Sequence, residues 1–255
     1  MEKYETMRTK ETPLVRARKR RLDGSLIYDI ARIIGSPFSY DVVGFENIQS
    51  EGPAIFIANH LGAIGPLAVI LSVPIRFYPW VIAEMMDFKR APRYLFDDFV
   101  RPALHLEGWF GMTVSTLLTK ISVRLFRRVS AVSIDRFGGL STDGFRASLN
   151  LLHEDKNLLI FPEDSLLPLD PDTLMRPFMP GFATLCSLFQ VDRDTLLPVY
   201  PVAVHAGSEL ISIGRPEYFQ QQSRHREAIT SFCQLVEDRV RDLYLDLKKS
   251  ADALE

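Results

Sequence analysis

The sequence predicts a single α/β domain in which a mainly parallel, twisted sheet is flanked by helices. The chain has 255 residues, of which 47% are hydrophobic and 24% charged, an ordinary composition for a globular protein. Short apolar runs alternate with longer segments of helical periodicity, as in strands joined by right-handed crossover helices. A chain of this length commonly forms one such domain, so we expect a single core.

The N-terminal segment, residues 1–40, differs from the rest of the chain in its charge. Residues 1–23 contain eight Lys or Arg and four acidic residues, and a basic cluster at 16–21 precedes apolar residues spaced by three and four positions. This pattern predicts an amphipathic helix and a peripheral contact with an anionic membrane through residues 16–34. The alternative is a tail followed by a helix that packs on the domain formed by residues 41–255.

The domain is predicted from its apolar runs in chain order. Six runs are predicted to be strands: residues 53–58, 77–83, 129–134, 157–161, 197–204 and 211–213. A helix is expected after the first strand, and helical periodicity is clear at 143–154 and 224–252. Residues 87–128 are long for one crossover and rich in aromatic residues, so we interpret them as a helical insertion.

Composition also excludes several classes of protein. The formal charge of −2 shows no sequence-wide basic excess, so nucleic-acid binding is not expected. Cys186 and Cys233 are far apart and lack metal-ligand spacing, which predicts buried thiols in a reducing compartment and no metal site. The longest apolar stretch, residues 63–75, contains two prolines and is too short to span a bilayer.

The first candidate for chemistry is His60, which follows the apolar strand at 53–58. Ligands of open α/β sheets gather at the carboxyl ends of strands, and a histidine placed there can accept a proton near neutral pH. Asn59, immediately before it, is either a site residue or a helix cap.

Two further polar segments follow predicted strands. Glu163, Asp164 and Ser165 come after the strand at 157–161, where they either form a polar site or make a turn that caps a helix. Arg136 follows the strand at 129–134 and precedes two glycines, a setting that suits a phosphate or a surface turn.

Taken in order, these segments resemble the four conserved motifs of the PlsC-like glycerolipid acyltransferases, the lysophosphatidic-acid acyltransferase superfamily. The matching segments are Asn59-His60, Ile134-Asp135-Arg136, Phe161-Pro162-Glu163 and Leu197-Pro198-Val199. The resemblance covers roughly residues 40–215 and implies a glycerol-3-phosphate acyltransferase-like fold.

The resemblance also implies an activity and its participants. His60 would be the general base that activates a hydroxyl of a lysophospholipid or other lipid-like acceptor. The acyl donor would be acyl-CoA or acyl-carrier protein, with no metal or bound cofactor. Glu163, Ser165 and Arg136 would shape the acceptor site, and Asn59 and Asp164 would lie beside them. The protein would act in the cytoplasm, peripherally on the inner face of the membrane.

This sequence departs from the family pattern at three positions. Gly65 stands where the family has the Asp that supports the histidine, so we predict that Glu84, after the second strand, replaces it. Leu166 stands where the family has a phosphate-binding Arg, for which Arg176 is the predicted compensation. Asp164 replaces a glycine. These changes leave open a second interpretation, a non-catalytic relative that binds lipid or acyl thioester.

Overall fold

The computed structural model describes residues 39–49, 52–62, 64–135, 142–221 and 224–253. The predicted amphipathic helix and membrane contact at 16–34 lie outside the described residues, and so does Arg136.

The secondary structure alternates as the sequence predicts. The strands are β1 (Asp41–Val43), β2 (Ala54–Ala58), β3 (Phe77–Ile82), β4 (Val132–Ile134), β5 (Asn157–Ile160), β6 (Pro198–His205), β7 (Leu210–Ile213) and β8 (Glu217–Tyr218). The α-helices of the described residues are α1 (Ile64–Ser72), α2 (Ala83–Met86), α3 (Ala91–Leu95), α4 (Arg101–Leu104), α5 (Gly108–Arg128), α6 (Thr142–His153), α7 (Gly181–Arg193) and α8 (His225–Asp252).

All eight strands belong to one sheet, whose main order is β1-β7-β6-β2-β5-β3-β4, with β8 paired to β6. The pairs β1–β7, β6–β2, β2–β5, β5–β3 and β3–β4 are parallel, while β7 and β8 run antiparallel to β6. The predicted α/β class with a mainly parallel sheet is therefore confirmed. In this order β5 lies between β2 and β3, so the end of β2 is adjacent to the end of β5 and not to the end of β3.

Helices cover both faces of the sheet, which explains why the central strands are apolar throughout. Every residue of β2 is buried. On one face, Ile55 and Ile57 pack with residues of α6, α7 and α8. On the other face, Ala54, Phe56 and Ala58 pack with residues of α1. A half-exposed strand alternates apolar and polar residues, whereas a strand that is buried on both faces is apolar at every position.

The region 87–128 is helical, as predicted. It contains α3, a π-helical turn at Phe96–Val100, α4 and the 21-residue helix α5. Gly111 of α5 permits close packing here, because a Cβ atom at this position would lie 2.6 Å from the Leu106 carbonyl oxygen and 2.8 Å from the Phe96 ring. The chain then turns at Ser130, whose φ is +55°, and β4 begins at Val132 rather than at the predicted residue 129.

The described residues contain neither a membrane-spanning helix nor a cluster of metal ligands. No helix in the described ranges is long and apolar enough to cross a membrane. Within the same ranges, no group of three or more His, Cys, Asp or Glu side chains is placed to hold a metal ion.

Candidate active site

The candidate site lies at the carboxyl edge of the sheet, where β2 and β5 end side by side. The register pairs Ile57 of β2 with Ile160 of β5. The residues that follow these two strands, His60 and Glu163, therefore emerge next to each other although 103 positions separate them in the sequence. The imidazole of His60 packs edge-on against the Phe161 ring at a centroid distance of 5.5 Å.

The Glu163 carboxylate joins the two loops of the site. Its Oε1 accepts the backbone N–H of His60 at 2.7 Å, and its Oε2 accepts the backbone N–H of Arg176 at 3.0 Å. The Glu163 residue is only 7% exposed, and its backbone forms an isolated antiparallel bridge with Phe178. One buried side chain thus fixes the backbone of the predicted base and the backbone of a predicted anion-binding arginine.

Burial sets the protonation of this carboxyl. Desolvation raises the pKa of Glu163 above its usual value, while the N–H donors of His60 and Arg176 and the guanidinium charges of Arg176 and Arg241 oppose the rise. Because the pKa is higher in the folded than in the unfolded protein, the folded state binds more protons between the two values. This contribution to stability is fully present below the unfolded pKa and is lost as the pH rises through the folded pKa.

The variant Glu163→Gln tests this role. A glutamine offers one carbonyl oxygen to two N–H donors, so one buried donor loses its acceptor, which costs about 1–3 kcal/mol. We expect the free energy of unfolding in urea at pH 7 to fall by about 2 kcal/mol. The deficit should widen as the pH falls from 7 to below the unfolded value of 4.5, because only the wild type gains from protonation.

Asp164→Asn is the matched control for this variant. It also removes one carboxylate charge, but its remaining oxygen can still accept the Leu166 N–H, so we expect a change below about 0.5 kcal/mol. A Glu163→Gln protein as stable as this control at pH 7 would show that the carboxylate does not hold the two loops together.

Asn59, predicted to be a substrate-binding residue, forms two hydrogen bonds with the backbone of β6. The side chain is fully buried. Its Nδ2 donates to the Val204 carbonyl at 3.0 Å, and its Oδ1 accepts the Val204 N–H at 2.7 Å. Because these two bonds engage both ends of the amide, Asn59 links the end of β2 to β6 directly before His60. Its predicted contact with substrate stays a prediction.

The loop after His60 is shaped by close packing at Gly65. Leu61 and Gly62 both have left-handed backbone conformations, with φ of +40° and +61°, and they turn the chain from β2 toward α1. This turn brings Gly65 against the backbone of the Asn59-His60 pair. A Cβ atom at position 65 would overlap the His60 carbonyl oxygen and would lie 2.8 Å from the His60 carbonyl carbon. The position where the family has an Asp therefore admits no side chain in this conformation.

The residues after Glu163 form a turn, but the turn does not cap a helix as the alternative interpretation held, since the next helix begins at Gly181. The Asp164 side chain accepts the Leu166 N–H at 3.0 Å, and its carbonyl accepts the Leu167 N–H at 3.1 Å. An Asp at this position commonly stabilises such a turn. Ser165 lies exposed within it. Leu166, which is 78% exposed, projects from this turn beside the site.

Arg176 lies on the opposite side of Glu163 from His60. Its backbone is held by the Glu163 carboxylate, and its side-chain Nε donates to the Leu167 carbonyl at 2.9 Å. The structure therefore brings together three of the predicted residues, namely His60, Glu163 and Arg176. The role of Arg176 in binding an anionic group stays a prediction.

Glu84 follows a strand that is not adjacent to the one before His60. It lies in α2, after the end of β3, and β5 separates β3 from β2. Two strand spacings, about 10 Å, therefore separate the β3 and β2 backbones. The Glu84 carboxylate lies 3.9 Å from a guanidinium nitrogen of Arg90. Its proposed support of His60 stays a prediction, and the carboxylate that adjoins the His60 loop is Glu163.

A polar network on α8 supports the site and was not predicted. Glu237 accepts the Phe178 N–H at 2.7 Å and two nitrogens of Arg241 at 3.0 Å. Arg241 also donates to the Thr173 hydroxyl at 2.7 Å. These bonds hold the segment that follows the Glu163 turn. One feature of the sequence could have indicated this network, namely a glutamate within the apolar stripe of α8, between the buried residues Val236 and Val240.

No family model and no curated protein sequence matches this chain. Among solved structures, the chain is similar to the 1-acyl-sn-glycerophosphate (LPA) acyltransferase PlsC from Thermotoga maritima, with a TM-score of 0.53 and 16% sequence identity. The match covers 87% of this chain and 80% of that one. The similarity shows that this chain has the PlsC fold, as the sequence resemblance implied.

Proposed function

We propose that this protein is an O-acyltransferase that moves an acyl group from a thioester to a hydroxyl of a lipid-like acceptor. The observation that carries the proposal is the position of His60. It follows the central strand β2 at the carboxyl edge of a PlsC-type sheet, and the buried Glu163 holds its backbone in place. The donor would be acyl-CoA or acyl-carrier protein, and the reaction as proposed needs no metal or cofactor.

In the proposed reaction, the imidazole of His60 accepts the proton of the acceptor hydroxyl as its oxygen attacks the thioester carbonyl carbon. The new C–O bond gives a tetrahedral intermediate. Its collapse breaks the C–S bond, and the imidazolium of His60 returns the proton to the leaving thiolate. The products are an ester and a free thiol. Asn59 and Glu163 contribute by fixing the His60 backbone, which keeps the ring in place between the two substrates.

The surroundings of the site support a lipid-like acceptor. The turn after Glu163 exposes Leu166, Leu167 and Leu169, so an apolar surface lies next to the segment that carries Glu163. Exposed apolar side chains that cluster at a site suit a hydrophobic ligand. Arg176 would bind an anionic group of the acceptor, together with Arg136, and Ser165 would contribute a hydroxyl. Peripheral attachment through residues 16–34 would bring the protein to the membrane that supplies the acceptor.

The experiment that tests this proposal measures acyl transfer from radiolabelled acyl-CoA and acyl-carrier protein to lysophospholipids and simple alcohols. We expect a labelled ester and an equimolar amount of free thiol with at least one lipid-like acceptor. A control without acceptor measures thioester hydrolysis. A preparation that transfers the acyl group to no acceptor, and does not hydrolyse the thioester, would contradict the proposal.

The second candidate function is a non-catalytic relative that binds lipid or acyl thioester. Gly65 favours it, because the loop has no space for the side chain that supports the histidine in the family. The same experiment separates the two functions. Saturable binding of the thioester without turnover would favour the binding protein, and turnover would exclude it.

A further inference from the structure

Helix α5 has an exposed face that is both apolar and cationic. Trp109 is 81% exposed, and Phe110, Leu117 and Ile121 are also exposed. The residues of α5 that are buried are Gly111, Ser115, Thr119 and Val123. At 3.6 residues per turn these two sets occupy opposite sides of the helix. The exposed large side chains therefore form a continuous face rather than scattered positions.

The charges of α5 all have the same sign. Its sequence contains Lys120, Arg124, Arg127 and Arg128 and no acidic residue. In the part of the chain that the structure describes, none of these four side chains forms an ion pair. The Arg127 guanidinium lies 4.9 Å from the ring centroid of Phe88, so this exposed aromatic residue extends the same face.

We propose that α5 is a docking surface for an anionic lipid bilayer. Aromatic and aliphatic side chains along one helix face insert between headgroups, while Lys and Arg contact anionic lipids. From Trp109 to Ile121 the apolar residues extend about 18 Å along the helix, which suits a planar lipid surface. The proposal concerns binding alone and does not depend on the acyltransferase chemistry. It locates a membrane contact outside residues 16–34.

The fold places this surface beside the candidate site. Helix α5 packs against α2, which begins directly after β3 at the carboxyl edge of the sheet. His60 and Glu163 lie at the same edge. A bilayer in contact with the α2 end of the α5 face would therefore adjoin the end of the sheet that carries His60 and Glu163.

Sedimentation with vesicles tests the proposal on the full-length chain. Vesicles of phosphatidylcholine alone are compared with vesicles that contain about 30 mol% phosphatidylglycerol. We expect binding to the anionic vesicles that weakens in about 0.5 M NaCl. Trp109→Ser/Leu117→Ser should lower the partition coefficient by about tenfold or more. Val191→Ser/Leu188→Ser, two exposed apolar residues on α7, is the matched control and should bind as the wild type does.

A charge series tests the electrostatic part. Lys120→Gln/Arg124→Gln should lower binding to anionic vesicles by about 25-fold at low salt, since each basic residue at the surface contributes about fivefold. Arg215→Gln/Arg226→Gln removes two exposed charges elsewhere and should have little effect. Circular dichroism spectra identical to that of the wild type would show that the variants are folded.

Tryptophan fluorescence gives an independent measurement. The chain has two tryptophans, and Trp80 is half-buried with its indole N–H bonded to Ser148. A blue shift on adding anionic vesicles should therefore come from Trp109 and be absent in Trp109→Phe.

Three results would overturn the proposal: no binding of the wild type to anionic vesicles, full binding by both α5 double variants, or binding of this face to acyl-carrier protein but not to vesicles. None of these results bears on acyl transfer to a soluble alcohol, so failure here is distinct from failure of the proposed activity.

Discussion

His60→Ala is expected to lower the rate of acyl transfer by at least about 100-fold, the smallest effect typical of removing a general base. The fold should survive this change. Glu163 holds the backbone N–H of residue 60, which an alanine retains. The side chain's described ring contact is with Phe161, and the loss of such a contact costs about 0.5–1.5 kcal/mol. The rate should therefore fall far more than stability does.

The measurement is the initial rate with the best acceptor, together with urea unfolding of the same preparations. Glu84→Gln is the informative companion variant. If Glu84 supports His60, as the sequence predicts, this variant should approach the loss seen in His60→Ala. The sheet order and the proximity of Glu84 to Arg90 lead us to expect a change of less than about threefold. Equal activity of His60→Ala and the wild type would exclude His60 as the base.

The central part of the fold could be predicted because its strands are buried on both faces. β2 is a continuous apolar run, β5 is apolar after Asn157, and the observed bounds of each differ from the predicted ones by one residue. The edge strand β1 has three residues, none of which is buried, and the sequence has no long apolar run there that would have predicted it. Helix α7 was also not predicted. Its buried residues include Phe182, Ala183 and Leu185, and an apolar segment of this kind has weak periodicity.

The sequence offered candidate site residues but not their arrangement in space. Glu84 was proposed as the partner for His60 because it follows the second predicted strand. The chain instead inserts β5 between β2 and β3 after returning from β4, so Glu163 arrives beside His60 from 103 positions away. Local patterns indicate where strands end, but they do not reveal which strand ends are adjacent in space. Whether a polar side chain faces substrate or backbone, as for Asn59, depends on the same neighbours.

Gly65→Asp, which restores the residue of the family pattern, is expected to destabilise the protein without increasing its rate. Any Cβ atom at position 65 overlaps the carbonyl oxygen of His60, and the residue is buried. Overpacking of this kind costs about 1–3 kcal/mol, and a buried carboxylate adds the cost of desolvation. We therefore expect a loss of about 3 kcal/mol or more in the free energy of unfolding, measured by urea denaturation.

Two variants separate the causes of this loss. Gly65→Ala adds only the Cβ atom and should lose about 1–3 kcal/mol. Gly62→Asp adds the same carboxylate to the same loop, where a Cβ atom meets nothing within 4 Å, and should lose only about 1 kcal/mol for its left-handed backbone. A Gly65→Asp protein that was as stable as the wild type and more active would show that the loop opens readily. Loss of stability without a gain in rate would instead mean that the His60 loop requires a glycine at position 65. Its chemistry would then depend on backbone packing and on Glu163 rather than on an aspartate at that position.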